Sequence, residues 1–318
     1  MKNERGDQVV SFGELLIDMI PPKPGTLVDS ESFEKKFGGA PANTAAGLAI
    51  LGVPVSFIGK VGNDPFGHFL KNTLDENGVE TDRLILTNEH PTTLAFVSLT
   101  KDGQRDFFFI RGAHEAITAS EVDLPKKTFL LHFGSLTQTN ETASRATNKL
   151  IDQAQRMGAI ISYDPNIRES LWGDLGKAKK IILETAKKVH VLKINEDEAR
   201  LLSGTDDISQ AGRRLFTDNL DALFITLGAQ GCYYKTKNSE GRIPVPIKVK
   251  VIDTTGAGDA FNAGYISAIY ETGKRISEMT DSEIRTALKR ASIIAALTTT
   301  KRGAIAAFPR KKDLERFL

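Results

Sequence analysis

Two periodicities divide the chain. From Val9 to Ile20 it reads as an extended, strand-like run in which one carboxylate, Asp18, sits among Leu16, Ile17, Met19 and Ile20. Such an acid either faces solvent from an edge strand or meets a ligand, and spacing alone favours solvent. Pro21-Pro22-Lys23-Pro24-Gly25 breaks the run, and a second short strand pattern ends at Phe37. The stretch from Gly38 to Gly52 then reads as a helix entered through Gly38-Gly39, with Pro41 in its first turn and Gly52 ending it. A strand from Val55 to Val61 and a helix to about Asn77 continue a βα order that implies a parallel sheet covered by helices. The pattern then changes: Thr92 to Thr100 and Gln104 to Arg111 are strand-like, and Lys101-Asp102-Gly103 between them carries the Asp-Gly hairpin signal. A hairpin inserted in a doubly wound chain must pack outside the main sheet. With the strands around residues 14 to 36 it predicts a small second sheet, a candidate lid that excludes water. After Ala116 the βα rhythm resumes through strands at Phe129–Phe133, Ile160–Asp164, Val189–Ile194, Leu223–Leu227 and Ile247–Ile252. The resulting division is an α/β core over residues 1–13, 38–90 and 114–318, with a discontinuous lid over 14–37 and 91–113.

The 318 residues suffice for a large core, and 42 Lys+Arg against 40 Asp+Glu leave the chain almost neutral. That balance argues against a broad nucleic-acid or membrane-binding surface, so an anion site must be local. Met1 to Asp7 lacks an apolar signal region and no run approaches a membrane span, which together suggest a cytoplasmic protein. Cys232 is the single cysteine and reads as a buried structural thiol in a strand; the five histidines show no metal-ligand spacing.

The chemistry concentrates at Asp253-Thr254-Thr255-Gly256-Ala257-Gly258-Asp259, which follows the Ile247–Ile252 strand pattern and opens a helical one. Glycines let backbone N–H groups approach a ligand that a Cβ would block, and the first N–H groups of a helix lack internal partners and carry the positive dipole end. An anion fits there, and Asp259 beside those amides could take the proton from an attacking hydroxyl. The combination suits phosphoryl transfer to an alcohol. Taken alone, a tight turn with a favourable first-turn acid explains the same residues. Upstream, Gly38-Gly39 permits close backbone approach and Asn43 offers a donor and an acceptor that packing explains less well than the neighbouring alanines and glycines. Phe107, Phe109 and Arg111 alternate as either a subunit contact or pocket walls with a cation, readings that are compatible. Asp164-Pro165-Asn166-Ile167-Arg168 ends a strand where ligands bind in open α/β sheets, or simply caps a helix.

Asp-Thr-Thr-Gly-Ala-Gly-Asp-Ala-Phe over 253–261 resembles the signature of the ribokinase-like, or phosphofructokinase B, family of sugar and nucleoside kinases. Gly-Gly-Ala-Pro-Ala-Asn over 38–43 resembles the family's first signature, so the likeness spans nearly the whole chain. It implies a three-layer α/β/α sandwich with a mostly parallel central sheet and a small β-sheet lid. It implies ATP as the phosphoryl donor, Asp259 as general base, and the N–H groups of Gly256, Ala257 and Gly258 as the anion hole. Asp18, Gly38, Gly39, Asn43 and Arg168 fall at sugar positions, and Phe107 and Phe109, read as pocket walls, join them as substrate-binding candidates. Lys193, Thr226, Gly228, Gly231 and Asn195 fall at nucleotide positions, and Ser292 stands where relatives carry an asparagine near adenine. Asn195 and Glu198, also readable as a helix cap, match the segment that orders Mg2+ through water. Asp253, Thr255, Thr298, Lys301, Gly303 and Ala307 match the positions that hold a monovalent cation, K+, largely through carbonyls. Tyr-Asp-Pro-Asn-Ile-Arg and Asp-Gly-Gln-Arg-Asp-Phe-Phe-Phe look most like fructokinases, which implies fructose as acceptor; the small lid sheet is the expected homodimer contact. Ketodeoxygluconate kinases share much of the pattern. A sugar-sensing binding protein would need the pocket without Asp259 or the anion turn, and a dehydrogenase lacks its glycine fingerprint.

Overall fold

The computed structural model describes residues 7–23, 25–99 and 105–317. The Asp102-Gly103 turn lies outside them, as does the side chain of Phe107. The chain begins β1 (Gln8–Phe12), β2 (Leu16–Ile20), β3 (Glu34–Gly38), α1 (Ala40–Ile50), β4 (Val55–Gly62), α2 (Pro65–Glu76) and β5 (Leu84–Thr87). It continues through β6 (Leu94–Leu99), β7 (Arg105–Ile110), β8 (Thr128–Phe133), α3 (Glu141–Met157), β9 (Ile160–Tyr163), α4 (Glu169–Trp172) and α5 (Leu175–Ala186). It closes with β10 (Val191–Asn195), α6 (Glu196–Ser203), α7 (Ile208–Leu215), β11 (Ala222–Thr226), β12 (Cys232–Thr236), β13 (Glu240–Ile243), α8 (Ala257–Thr272), α9 (Asp281–Thr298) and α10 (Lys311–Leu314).

Nine strands form one sheet in the order β13-β12-β11-β10-β9-β8-β1-β4-β5. It is parallel from β11 through β5, and β12 and β13 close one edge by antiparallel pairing. Alternation along each strand supplies both faces: Val9, Leu130 and Val191 join the core beneath α1, α8 and α9, whereas Val10, Leu131 and Leu192 join the core beneath α3, α5, α6 and α7. The three-layer sandwich follows from that division. Gly264 lets α8 and α9 approach, since a Cβ on it would lie 2.6 Å from the Ala291 Cα.

The predicted extended run from Val9 to Ile20 divides at Gly13-Glu14-Leu15: β1 enters the large sheet and β2 leaves it for the lid. The lid is a separate four-stranded sheet ordered β3-β2-β6-β7, with β2 antiparallel to β3 but parallel to β6. One predicted strand does not form. Residues 247–252 alternate correctly yet pair with no strand among the described residues, and Val251 and Ile252 are 57% and 56% exposed. Pro244 and Pro246 interrupt the chain after β13, and the Ile252 and Asp253 N–H groups donate instead to the Thr299 carbonyl at the end of α9 (2.8 and 3.1 Å). The segment that delivers the glycine turn is therefore anchored by a helix end rather than by a sheet.

Candidate active site

Residues just beyond the carboxyl ends of β1, β8, β9, β10 and β11 converge on one cavity of about 1340 Å³, which the lid strands β2, β3, β6 and β7 help to wall. This exceeds the range of roughly 300–1,000 Å³ usual for one small ligand, so two can lie end to end.

The turn at its floor has the predicted form. Gly256 adopts φ 77°, the left-handed region, and α8 begins at Ala257. The Ala257 N–H donates back to the Thr254 carbonyl (3.2 Å), so it is engaged within the turn, whereas the N–H groups of Gly256, Gly258 and Asp259 find no acceptor among the described residues. The amides open to an anion are thus those of Gly256, Gly258 and Asp259 rather than that of Ala257. Asp253 builds the turn: its Oδ1 accepts from the Thr255 N–H and hydroxyl (2.9 and 2.7 Å), and its Oδ2 accepts from the Gly303 N–H (2.9 Å). That last bond ties the chain after α9 to the turn.

Asp259 is 8% exposed and lines the cavity. Its Oδ2 accepts from the Asn43 Nδ2 (2.8 Å), which joins the two glycine signatures across α1 and α8. Burial raises its pKa to about 6, the Asn43 bond opposes the rise, and the Asp164 charge adds to it while Lys193 and Arg168 offset part. A carboxylate so placed is ionised at neutral pH yet basic enough to accept a proton.

A second buried layer supports the first. Asp164 Oδ2 accepts from both the Lys193 ammonium (2.8 Å) and the Asn262 Nδ2 (2.7 Å). Burial works against the Lys193 charge, but Asp164, Glu198 and Asp259 outweigh it and hold its pKa above the usual lysine value. The ammonium lies 3.0 Å from where a Cβ on Gly258 would stand, directly against the turn. A cation and free amides therefore face the same spot, as an anion requires. The resemblance alone marks Lys193, and it marks neither Asp164 nor Asn262 individually. Asn262 follows Asp259 by three positions on one helix face, a spacing that could have marked it.

The remaining expected residues divide. Asp18, Gly39, Phe109, Arg168, Asn195, Thr226, Gly228, Asp253, Thr255 and Gly303 all line the cavity. Gly38 stands behind Asp18, whose Oδ2 is 2.5 Å from a Cβ position there. Asn166 beside them adopts φ 45°, a left-handed conformation that asparagine tolerates. Glu198 accepts from the Asn195 N–H (2.8 Å) and the Ile167 N–H (2.6 Å), while Asn195 Oδ1 accepts from the Glu198 N–H (2.9 Å). The cap forms and engages both carboxylate oxygens; Asn195 lines the cavity and Glu198 does not. Gly231, Ser292, Thr298, Lys301 and Ala307 stand outside the cavity wall. Gly231 adopts φ 94° against the Ile243 carbonyl, a backbone requirement. Ser292 is buried in α9 beside Cys232, whose thiol burial pushes up to about 12 while Ser292 draws it back. Thr298 donates its hydroxyl to the Ile294 carbonyl (2.9 Å), Lys301 is exposed and Ala307 is buried.

One residue absent from the sequence reading joins the wall. Glu14, 6% exposed, accepts from the Ala40 N–H (3.1 Å), and burial raises its pKa to about 7 against that bond and the Arg168 charge. An acid after a strand-ending glycine, followed by Leu15 and Leu16, was the available signal.

Comparison with known proteins agrees with this geometry. The profile described as pfkB family carbohydrate kinase matches residues 7–311. The chain is 41% identical over 318 residues to "Probable fructokinase-6, chloroplastic" of Arabidopsis thaliana, covering 98% of this chain and 82% of that one. Among solved structures, a fructokinase double mutant from Vibrio cholerae O395 with bound fructose, ADP and potassium ion superposes with TM-score 0.89 at 30% identity, covering 98% of each chain. A fructokinase from Xylella fastidiosa with bound ATP gives 0.88 at 30% identity over 96% of each. The turn, the cavity above it and these likenesses converge, and the chain belongs to the pfkB family of carbohydrate kinases.

Proposed function

We propose that this protein is an ATP-dependent fructokinase that phosphorylates the 6-hydroxyl of D-fructose. The observation that carries the reading is the placement of Asp259: a buried carboxylate of raised pKa, held by Asn43, on the same turn as unpaired N–H groups and beside the Lys193 ammonium. The sugar lies toward Asp18, Gly39, Asn43, Phe109 and Arg168, and the nucleotide toward Lys193, Asn195, Thr226 and Gly228. Asp259 takes the hydroxyl proton as the alcohol oxygen bonds to the γ-phosphorus. The bond from that phosphorus to the β,γ-bridging oxygen breaks, ADP leaves, and the Gly256 and Gly258 amides stabilise the charge on the transferred group.

Magnesium, held through water near Asn195 and Glu198, would supply neutralisation of the phosphate oxygens. Potassium would sit near Asp253, Thr255 and Gly303, where the turn meets the chain after α9; the relative from Vibrio cholerae O395 with potassium ion supports that element. The lid sheet closes over the sugar, and its outer face, with Phe108 59% and Ile110 45% exposed, supports a homodimer. The reading places the enzyme in the cytoplasm; no helix among the described residues is long and apolar enough to cross a membrane.

The test is ADP release, coupled to a reporter enzyme, with fructose, glucose, ribose and 2-keto-3-deoxygluconate offered singly. Fructose should give the highest kcat/KM, and preference for the sugar acid would overturn the choice of sugar.

A further inference from the structure

Glu14 is a buried carboxyl for which the reaction above has no use. It sits where the chain passes from β1 of the core to β2 of the lid, opposite the passage from β3 to α1. Its backbone is fixed there, because a Cβ on Gly39 would collide with the Glu14 carbonyl, and Leu15 is fully buried. Its side chain is half committed: Oε1 accepts from the Ala40 N–H at the start of α1, while Oε2 is buried and has no partner among the described residues. The residue lines the cavity at the end that holds Asn43, Asp259 and Arg168, and it feels the charges of the last two. A buried acceptor left unpaired is costly, and a hydrogen-bond donor presented by a ligand removes that cost.

We infer that Glu14 is a specificity-determining residue, whose free oxygen accepts a hydroxyl hydrogen of a neutral sugar and disfavours a sugar acid. The inference rests on the sugar-kinase reading above and names what selects within it. A hydroxyl donates to Oε2 and stabilises the carboxylate. A substrate carboxylate offers no hydrogen; it would face Glu14 and Asp259 together, with Arg168 as the nearby opposing charge, and would bind only against their repulsion or with uptake of a proton. Sites that hydrogen-bond a substrate group reject analogues lacking it more sharply than apolar pockets reject an extra methylene.

The experiment compares Glu14→Gln and Glu14→Asp with wild type, using fructose, 2-keto-3-deoxygluconate and ATP as varied substrates. Gln can still accept from Ala40 but carries no charge. E14Q should raise KM for fructose about tenfold or more, as loss of a hydrogen bond to a charged group does, with kcat within about threefold and KM for ATP unchanged. It should also narrow the fructose-to-acid ratio of kcat/KM by about tenfold. E14D keeps the charge with a shorter reach, so KM for fructose should rise while the acid stays excluded. An unchanged ratio in E14Q, or equal loss with both sugars accompanied by a lower Tm in both variants, would overturn the inference and leave Glu14 a structural tie. A wild-type enzyme that prefers the sugar acid would overturn the fructose reading itself, before any variant is made.

Discussion

Asp259 combines two properties that ordinarily oppose each other, deep burial and ionisation at neutral pH. With its folded pKa raised to about 6, above the ordinary 3.8, the native state binds the proton more tightly than the unfolded chain does. Stability therefore falls as pH rises between about 4 and 6, and above that window the buried charge costs on the order of 2–3 kcal/mol. Asp259→Asn removes the charge, so its Tm at pH 8 should exceed wild type by a few degrees in a thermal melt; an unchanged or lower Tm would mean that the site does not strain this carboxylate. In the proposed reaction catalysis runs the other way, since Asp259 must be ionised to act as base. kcat/KM should rise with pH to a plateau with a midpoint near 6, set by Asp259 among Asp164, Lys193 and Arg168. A profile flat from pH 5 to 8 would contradict it. At this scale the sequence was readable where chemistry shares a short motif, as at Gly256-Ala257-Gly258-Asp259. It was not readable where partners meet only through folding: Asp164, Lys193 and Asn262 are separated by up to 98 positions yet share one buried oxygen.

The turn before α8 depends on backbone geometry that only glycine supplies at one position. Gly256 has φ 77°, and a Cβ on it would lie 2.7 Å from the Ala304 Cβ. Gly256→Ala should therefore lower kcat at least tenfold, raise KM for ATP and lower Tm by several degrees. Gly273 ends the same helix at φ 65° in open space, so Gly273→Ala should cost about 1 kcal/mol of stability and leave kinetics alone. Equal effects on turnover would refute the special role of the first turn. Most elements were legible because burial follows period: strands feeding both cores alternate, and α1 to α3 begin or end at Pro41, Gly52, Asp64 and Gly158. Residues 247–252 were misread because alternation reports a suitable residue order and cannot report whether a sheet edge is free to receive it.

Across the whole molecule, the large sheet supplies one end of the cavity, the end proposed for the nucleotide, and the small sheet supplies part of the wall proposed for the sugar. The lid was foreseeable because a hairpin breaks the βα order; the parallel pairing of β2 with β6 was not, since no local signal joins segments so far apart. Phe108 and Ile110 alternate on the outer face of edge strand β7. Sedimentation velocity should accordingly give twice the chain mass, and Phe108→Asp should return the monomer; a wild-type monomer at micromolar concentration would refute the lid-mediated dimer. The central claim is that the two ends meet at Asp259. The most direct test is sugar-dependent ADP release by Asp259→Asn, paired with calorimetric binding of fructose. The account predicts a fall in kcat of about 10²–10⁴-fold with fructose affinity kept within a few-fold; turnover near the wild-type rate would contradict it.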